Sequence, residues 1–222
     1  MLSSYCSRLI ACDKNQDDLN FAKTRNKDLS NVDYRHEDAL NLSFTAGTFD
    51  KVIAVEVLEH VSDPKSMMHN ICRVLKPNGI AIITFPREQF PFTYDPINYV
   101  LAWFSKKHLP IGAYAFGHHH LVSSSEFKAW VLECGFRVVD EKALSGFLVG
   151  FLELYWSGIV QRIFKSNFSN QSRDKKINHL RTRPGDKVPR LSSITRKITE
   201  LDSLISPSGN TSLGMGYILQ KK

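Results

Sequence analysis

Apolar residues fall along this chain in two kinds of pattern. Val52-Ile53-Ala54-Val55 and Ile80-Ala81-Ile82-Ile83 are unbroken apolar runs bounded by polar residues and turn formers. Short runs without alternation predict parallel strands buried on both faces. Between them, Met67, Ile71, Val74 and Leu75 recur at helical spacing behind Asp63 as a cap and Pro64 at the first helical position. Pro77-Asn78-Gly79 predicts where that helix stops. Strand, helix and strand in this order supply the crossover that parallel pairing needs. Downstream, Ser123 and Glu126 have capping-box spacing, Phe127, Trp130, Val131 and Cys134 form a stripe, and Gly135 is placed to end the helix. Strands are predicted at 136–142 and 214–220. At the start, Leu2, Tyr5, Cys6 and Leu9 share one face at helical spacing, which predicts a helix.

The central unit has specific wording: Val55-Glu56-Val57-Leu58-Glu59-His60-Val61-Ser62-Asp63-Pro64, then Arg73-Val74-Leu75-Lys76-Pro77-Asn78-Gly79. It resembles the class I S-adenosylmethionine-dependent methyltransferases of the type 11 kind, whose fourth strand, following helix and fifth strand read this way. Leu9-Ile10-Ala11-Cys12-Asp13 is similar to that family's second strand ending in an acid, Tyr34 to Ala39 to its third, and Ser123 to Phe136 to its last helix. The resemblance implies an α/β fold: a Rossmann-like, doubly wound, mostly parallel sheet with a C-terminal antiparallel strand and helical insertions. The core would span 1–143 with a lid insertion at 86–117. A helical and basic insertion would follow at 144–212, and 213–222 would be the final core strand.

The family's first strand ends in a glycine-rich loop whose amides approach the cofactor, and this chain's first glycine is Gly47. The expected fold is therefore N-terminally truncated, with two strand edges facing each other. Buried unpaired amides cost about 1–3 kcal/mol each. Three expectations follow: an incomplete gene product, a partner chain that supplies the strand, or a second and fourth strand that close up against each other.

Composition narrows the class. A chain of 222 residues fits one domain with insertions. Cys6, Cys12, Cys72 and Cys134 lack paired metal spacing and read as reduced core thiols of a cytoplasmic protein. The net charge of +7 is segregated: 1–161 carry 16 Lys/Arg against 18 Asp/Glu, 162–197 carry 11 against 2, and 198–222 balance. The apolar run 146–160 contains Glu153 and is shorter than the roughly 20 residues that span a bilayer. Beside the basic stretch it fits either an inserted lid helix or a peripheral membrane contact through 146–197.

The resemblance places cofactor contacts at Asp13 and Lys14 for the ribose, Asp38 and Ala39 for the adenine, and Val55 and Glu56 toward the methionine side. An acid ending a parallel strand can accept from both ribose hydroxyls, and it can equally cap the helix that begins near Asn15. On the acceptor side stand His60, Phe92, Tyr94 and His118. His60 reads either as a base for an acidic acceptor or as a loop-stiffening residue. His118-His119-His120 does not read as a metal site, because neighbours in an extended segment point to opposite sides. Aromatic residues and prolines crowd 86–117, as suits a lid over an apolar acceptor.

These readings favour S-adenosylmethionine-dependent methylation of a small, lipid-like, quinone-like or sugar-linked acceptor. Two alternatives stand beside it: a non-catalytic binding module, supported by the absent glycine loop, and an RNA-binding or RNA-methylating protein, suggested by the basic segment. Nucleic acid is the weaker partner, since Phe164 and Phe168 are the only aromatics interleaved with those charges.

Overall fold

The computed structural model describes residues 2–87, 96–104, 122–144 and 214–222, with isolated positions between 146 and 204. The strands are β1 (Leu9–Asp13), β2 (Val32–His36), β3 (Phe49–Val55), β4 (Leu75–Pro86), β5 (Phe136–Ala143) and β6 (Gly214–Lys221). The helices are α1 (Gln16–Arg25), α2 (Pro64–Val74), α3 (Pro96–Ala102) and α4 (Ser124–Glu133), with 3₁₀ turns at Leu2–Tyr5 and Leu58–His60. Much of the predicted lid and of the 144–212 insertion lies outside the described residues.

The strands form two sheets. β1 and β2 pair in parallel, Leu9 opposite Val32 through Asp13 opposite His36. The other sheet has the order β3-β4-β6-β5, with β3 parallel to β4 and β6 antiparallel to both its neighbours. The mostly parallel α/β architecture with an antiparallel final strand is thus present. The expectation that the second and fourth strands close up is corrected: no ladder joins β1 to β3, and each has a neighbour on one side only among the described residues. Side-chain bonds tie the segment after β2 to α2 instead. Asn70 Nδ2 donates to the Leu40 carbonyl at 2.8 Å, and the Arg73 guanidinium to the Leu42 and Phe44 carbonyls at 2.6 Å each.

Most of the core lies in the four-stranded sheet. Met67, Met68 and Ile71 of α2, Phe127 and Val131 of α4, and Ala81, Ile83 and Phe85 of β4 are buried in one cluster with Tyr217 and Leu219 of β6. The 80–83 run meets the prediction of a well-buried strand. The 52–55 run does not: Ala54 is buried, but Ile53 and Val55 are exposed, because no described residue covers that side of β3.

Caps fall where the sequence puts them. Asp63 accepts from the Ser66 amide at 3.0 Å, Ser123 from the Glu126 amide at 3.2 Å, and Gly135 takes φ +85°. Asp63→Ala is expected to cost about 1 kcal/mol, read as a lower urea midpoint with unchanged slope.

Other expectations need correction. α2 ends at Val74, and Leu75 is already extended with its N–H on the Ile71 carbonyl. Lys221 Nζ satisfies the Cys72 and Leu75 carbonyls at 2.7 and 2.8 Å, so the helix closes before Pro77. Pro77-Asn78-Gly79 lies inside β4, where Asn78 is left-handed at φ +62° and a Cβ on Gly79 would sit 2.8 Å from the Lys76 carbonyl oxygen. The predicted N-terminal helix is one 3₁₀ turn, after which Asn31 Nδ2 binds the Ser3 and Cys6 carbonyls at 2.8 and 3.0 Å. Of the four cysteines only Cys134 is buried and Cys72 half-buried, while Cys6 and Cys12 are exposed on the thinly covered two-stranded side. Burial pushes the Cys134 thiol up to about 11.

Candidate functional site

Parallel pairing sets the carboxyl ends of β1 and β2 side by side, the usual location of a ligand in an open α/β sheet. There Asp13 Oδ1 accepts from the Asn15 amide at 2.7 Å, and Asn15 in turn caps α1 by accepting from Asp17 and Asp18. The cap of α1 is thus Asn15 and not Asp13, which steadies the capping residue with one oxygen. No described residue bonds its second oxygen, and the residue is exposed.

Asp38 lies two residues past β2. Its Oδ1 accepts from the Leu40 amide at 3.0 Å, and its Oδ2 pairs with Lys14 Nζ at 2.7 Å. The Lys14 contact first, then the Leu40 amide, holds the Asp38 carboxyl below its ordinary range. His36 Nε2 stands 2.9 Å from the Lys14 carbonyl oxygen. The structure thus gathers Asp13, Lys14, Asp38 and Ala39 on one rim. His36 joins them, a residue found only through the register that sets it opposite Asp13.

A second group forms where β3 ends. Val55, opposite Thr84 of β4, is 56% exposed. Glu56 is left-handed at φ +53°, an uncommon conformation for a residue with a Cβ. Thr84 stabilises it twice: its carbonyl accepts from the Glu56 amide at 3.1 Å, and its hydroxyl donates to Glu56 Oε1 at 2.9 Å. The reversal leads into the Leu58–His60 turn, where Leu58 is fully buried and Glu59 is 1% exposed. Neither Glu59 carboxylate oxygen has a hydrogen-bond partner among the described residues. Burial first, then the charge of Glu56, pushes its carboxyl up to about 8. His60, 41% exposed, places Nε2 at 3.8 Å from Glu59 Oε1.

Sequence reasoning reached Val55, Glu56 and His60 but not Glu59 or Thr84. The Glu-x-x-Glu spacing was the available signal for Glu59. Phe92, Tyr94 and His118 lie outside the described residues. Among the described residues no cluster of His, Cys, Asp or Glu is arranged to hold a metal ion, and no helix is long and apolar enough to cross a membrane.

The chain is similar to known methyltransferases in sequence and fold. A family model described as a methyltransferase domain matches residues 1–83. The chain is 29% identical over 129 residues to a ubiquinone biosynthesis O-methyltransferase of Parvibaculum lavamentivorans, covering 57% of this chain and 47% of the relative. It is 28% identical over 157 residues to a demethylmenaquinone methyltransferase of Staphylococcus epidermidis, covering 71% of this chain and 61% of the relative. It thus spans about half to three-fifths of the length of these relatives. A solved SAM-dependent methyltransferase from Methanosarcina mazei superposes with a TM-score of 0.57 at 16% identity, covering 99% of this chain and 84% of that one.

Proposed function

We propose that this chain, which belongs to the class I S-adenosylmethionine-dependent methyltransferases, holds the nucleoside of that cofactor at the β1–β2 rim and serves methyl transfer to a hydroxyl of a small acceptor. The observation that carries the reading is the pair of carboxylates, Asp13 and Asp38, at the carboxyl ends of adjacent parallel strands. Asp13 has an oxygen to offer the ribose hydroxyls. Asp38 and Ala39 would meet the adenine, with the Lys14 ammonium screening Asp38 until a ligand competes for it. Val55 and Glu56 lie toward the methionine end. Bound there, S-adenosylmethionine supplies an electrophilic methyl on sulfur, and the protein's task is to align it with the acceptor and exclude water. His60, half-exposed in the turn after β3, would be the group to take the acceptor's proton.

The two relatives' names support a quinone-related acceptor, and the aromatic composition of 86–117 supports an apolar one. The basic excess of 162–197 beside an apolar run supports a cytoplasmic protein that meets its acceptor at an anionic membrane surface.

One observation favours a second reading. β1 and β3 each lack a ladder neighbour on one side among the described residues, and an extended segment from a partner chain would fit such edges. The chain would then bind cofactor only in company.

Calorimetric titration with S-adenosylmethionine and S-adenosylhomocysteine separates the two. Micromolar binding is expected. Asp13→Asn, which keeps an oxygen for the Asn15 amide but removes the charge, is expected to weaken it about 10–100-fold, as for loss of hydrogen bonds to an ionised group. No heat from a folded chain would overturn solitary binding in favour of the partnered form.

A further inference from the structure

The carboxyl ends of β1 and β2 are joined by three successive contacts. The Glu37 amide donates to the Asp13 carbonyl at 3.1 Å, the last backbone rung between the strands. One residue on, His36 Nε2 stands 2.9 Å from the Lys14 carbonyl oxygen, and Lys14 Nζ then crosses to Asp38 Oδ2 at 2.7 Å. We propose that His36 is the positioning residue of the nucleoside rim: its imidazole donates to the Lys14 carbonyl as a rung beyond the ladder and so holds Lys14 where its ammonium meets Asp38. That a nucleoside binds at this rim rests on the methyl-transfer reading; the tie between His36 and the Lys14–Asp38 pair does not.

The direction of the hydrogen bond follows from its partners. A carbonyl oxygen only accepts, so Nε2 carries the hydrogen in the neutral ring as well as in the imidazolium. The imidazole thus supplies a donor in either charge state, just past the last backbone rung.

Lys14 needs such a hold, because the ion pair alone does not fix it. The two side chains are 76% and 36% exposed. Pairs of this kind are weak, since water screens the charges and ordering a long lysine side chain offsets much of the attraction. The Asp38 end is fixed by its own loop, with Oδ1 accepting from the Leu40 amide at 3.0 Å and the carbonyl from the Asn41 amide at 2.9 Å. Lys14 instead lies in the short link between β1 and α1. On the helix side that link is held through Asn15, the cap of α1, whose amide donates to Asp13 Oδ1. On the β2 side the hold comes from His36. Neighbouring acids are engaged elsewhere: Glu37 accepts from the Ser43 amide at 2.8 Å, and Asp33 pairs with Arg8 at 2.6 Å. Without the His36 donor the link is free to shift. Both groups offered to the nucleoside are then disturbed, Asp13 as the neighbour of Lys14 and Asp38 by losing its ammonium.

Nitrogen-15 NMR of the lysine ammonium groups in the full chain tests this, with Lys14→Met to assign the Lys14 Nζ signal and Asp38→Asn to show where it lies unpaired. His36→Ala is expected to carry the signal at least halfway from its wild-type position to the unpaired one. His36→Gln, whose amide N–H replaces the Nε2–H, should keep the wild-type position. An unmoved signal in His36→Ala overturns the proposal, as does a shift in His36→Gln equal to that in His36→Ala. A histidine that only stabilised the fold would lower the urea midpoint of His36→Ala and leave the Nζ signal in place. His36 is exposed, so the variant is expected to fold; if it does not, His36→Asn, whose amide is too short to reach, takes its place under the same criterion. Calorimetry supplies the second readout. S-adenosylhomocysteine should bind His36→Ala about 3–10-fold more weakly, the usual worth of one hydrogen bond, and His36→Gln as it binds wild type. Unchanged affinity beside a shifted Nζ signal overturns the role at the rim. A wild-type chain that binds no S-adenosylhomocysteine ends the nucleotide reading instead, and the Nζ spectra then decide on the tie by themselves.

Discussion

Phe85→Ala is expected to destabilise the protein by about 3–5 kcal/mol, the usual cost of emptying a well-packed aromatic site. Phe85 is fully buried near the end of β4, with its ring centroid 4.7 Å from Phe127 of α4 and 5.6 Å from Tyr217 of β6, on which it stacks. Phe127 and Tyr217 close the triangle at 4.7 Å. One ring thus fixes a helix and two strands, two of whose members are far apart in sequence. Domains of this kind are stable by only about 5–15 kcal/mol, so the loss would be a large fraction of the total. Chemical denaturation followed by circular dichroism should show a lower midpoint, while Phe104→Ala, at an exposed position, should fall within about 0.5 kcal/mol of wild type. A Phe85→Ala change below about 1 kcal/mol would mean that the site collapses around the gap and that the three-ring cluster does not organise this end of the sheet.

How much of this was legible beforehand follows from what each signal depends on. The caps at Asp63 and Ser123 and the left-handed Gly135 depend on neighbours within a few residues, while the antiparallel return of β6 was implied by the family resemblance alone; the structure has them all. Burial of β3 depends on what lies beside it. Its apolar run is the same kind of text as that of β4, yet β4 is flanked by β3 and β6 whereas β3 has β4 alone among the described residues. The same cause exposes Cys12 on β1. Within the site, Asp13, Lys14 and Asp38 could be found because each ends or follows a strand. His36 required the β1–β2 register, and Glu59 required the reversal at Glu56, whose φ of +53° no propensity predicts for a glutamate. Glu-His reads as surface by its own polarity, even between the apolar Leu58 and Val61. It is the buried Leu58 that turns the first of the pair inward.

The open edges and the acid pair bear on one another. Strained backbone and an orphaned buried carboxyl both destabilise, and such features persist at sites where surrounding structure over-determines them. Here they stand at the end of β3, the strand whose other edge has no described neighbour. A strand paired with that edge would also border the Glu56 reversal and the turn behind it.

Stability itself is expected to fall as pH rises from about 4.5 to 8, and Glu59→Gln is expected to remove most of that slope. In the unfolded chain Glu59 ionises at its ordinary value of 4.5, whereas in the fold burial and Glu56 raise it to about 8. Between those values the native state holds a proton that the unfolded state has released, so each increase in pH favours unfolding. Below 4.5 both states are protonated and there is no penalty; above 8 both are ionised and the penalty is complete. At about 1.4 kcal/mol per unit the span amounts to a few kcal/mol, with the Glu56 coupling included. Glutamine has the shape of the neutral acid and never ionises. The variant should therefore match wild type near pH 4.5 and exceed it by a few kcal/mol at pH 8.5, a rare case of a buried polar substitution that stabilises. Urea midpoints at five pH values across this range decide it. Parallel curves for the two proteins would show that Glu59 ionises normally in the fold, and that its burial is relieved by movement of the turn rather than by holding a proton.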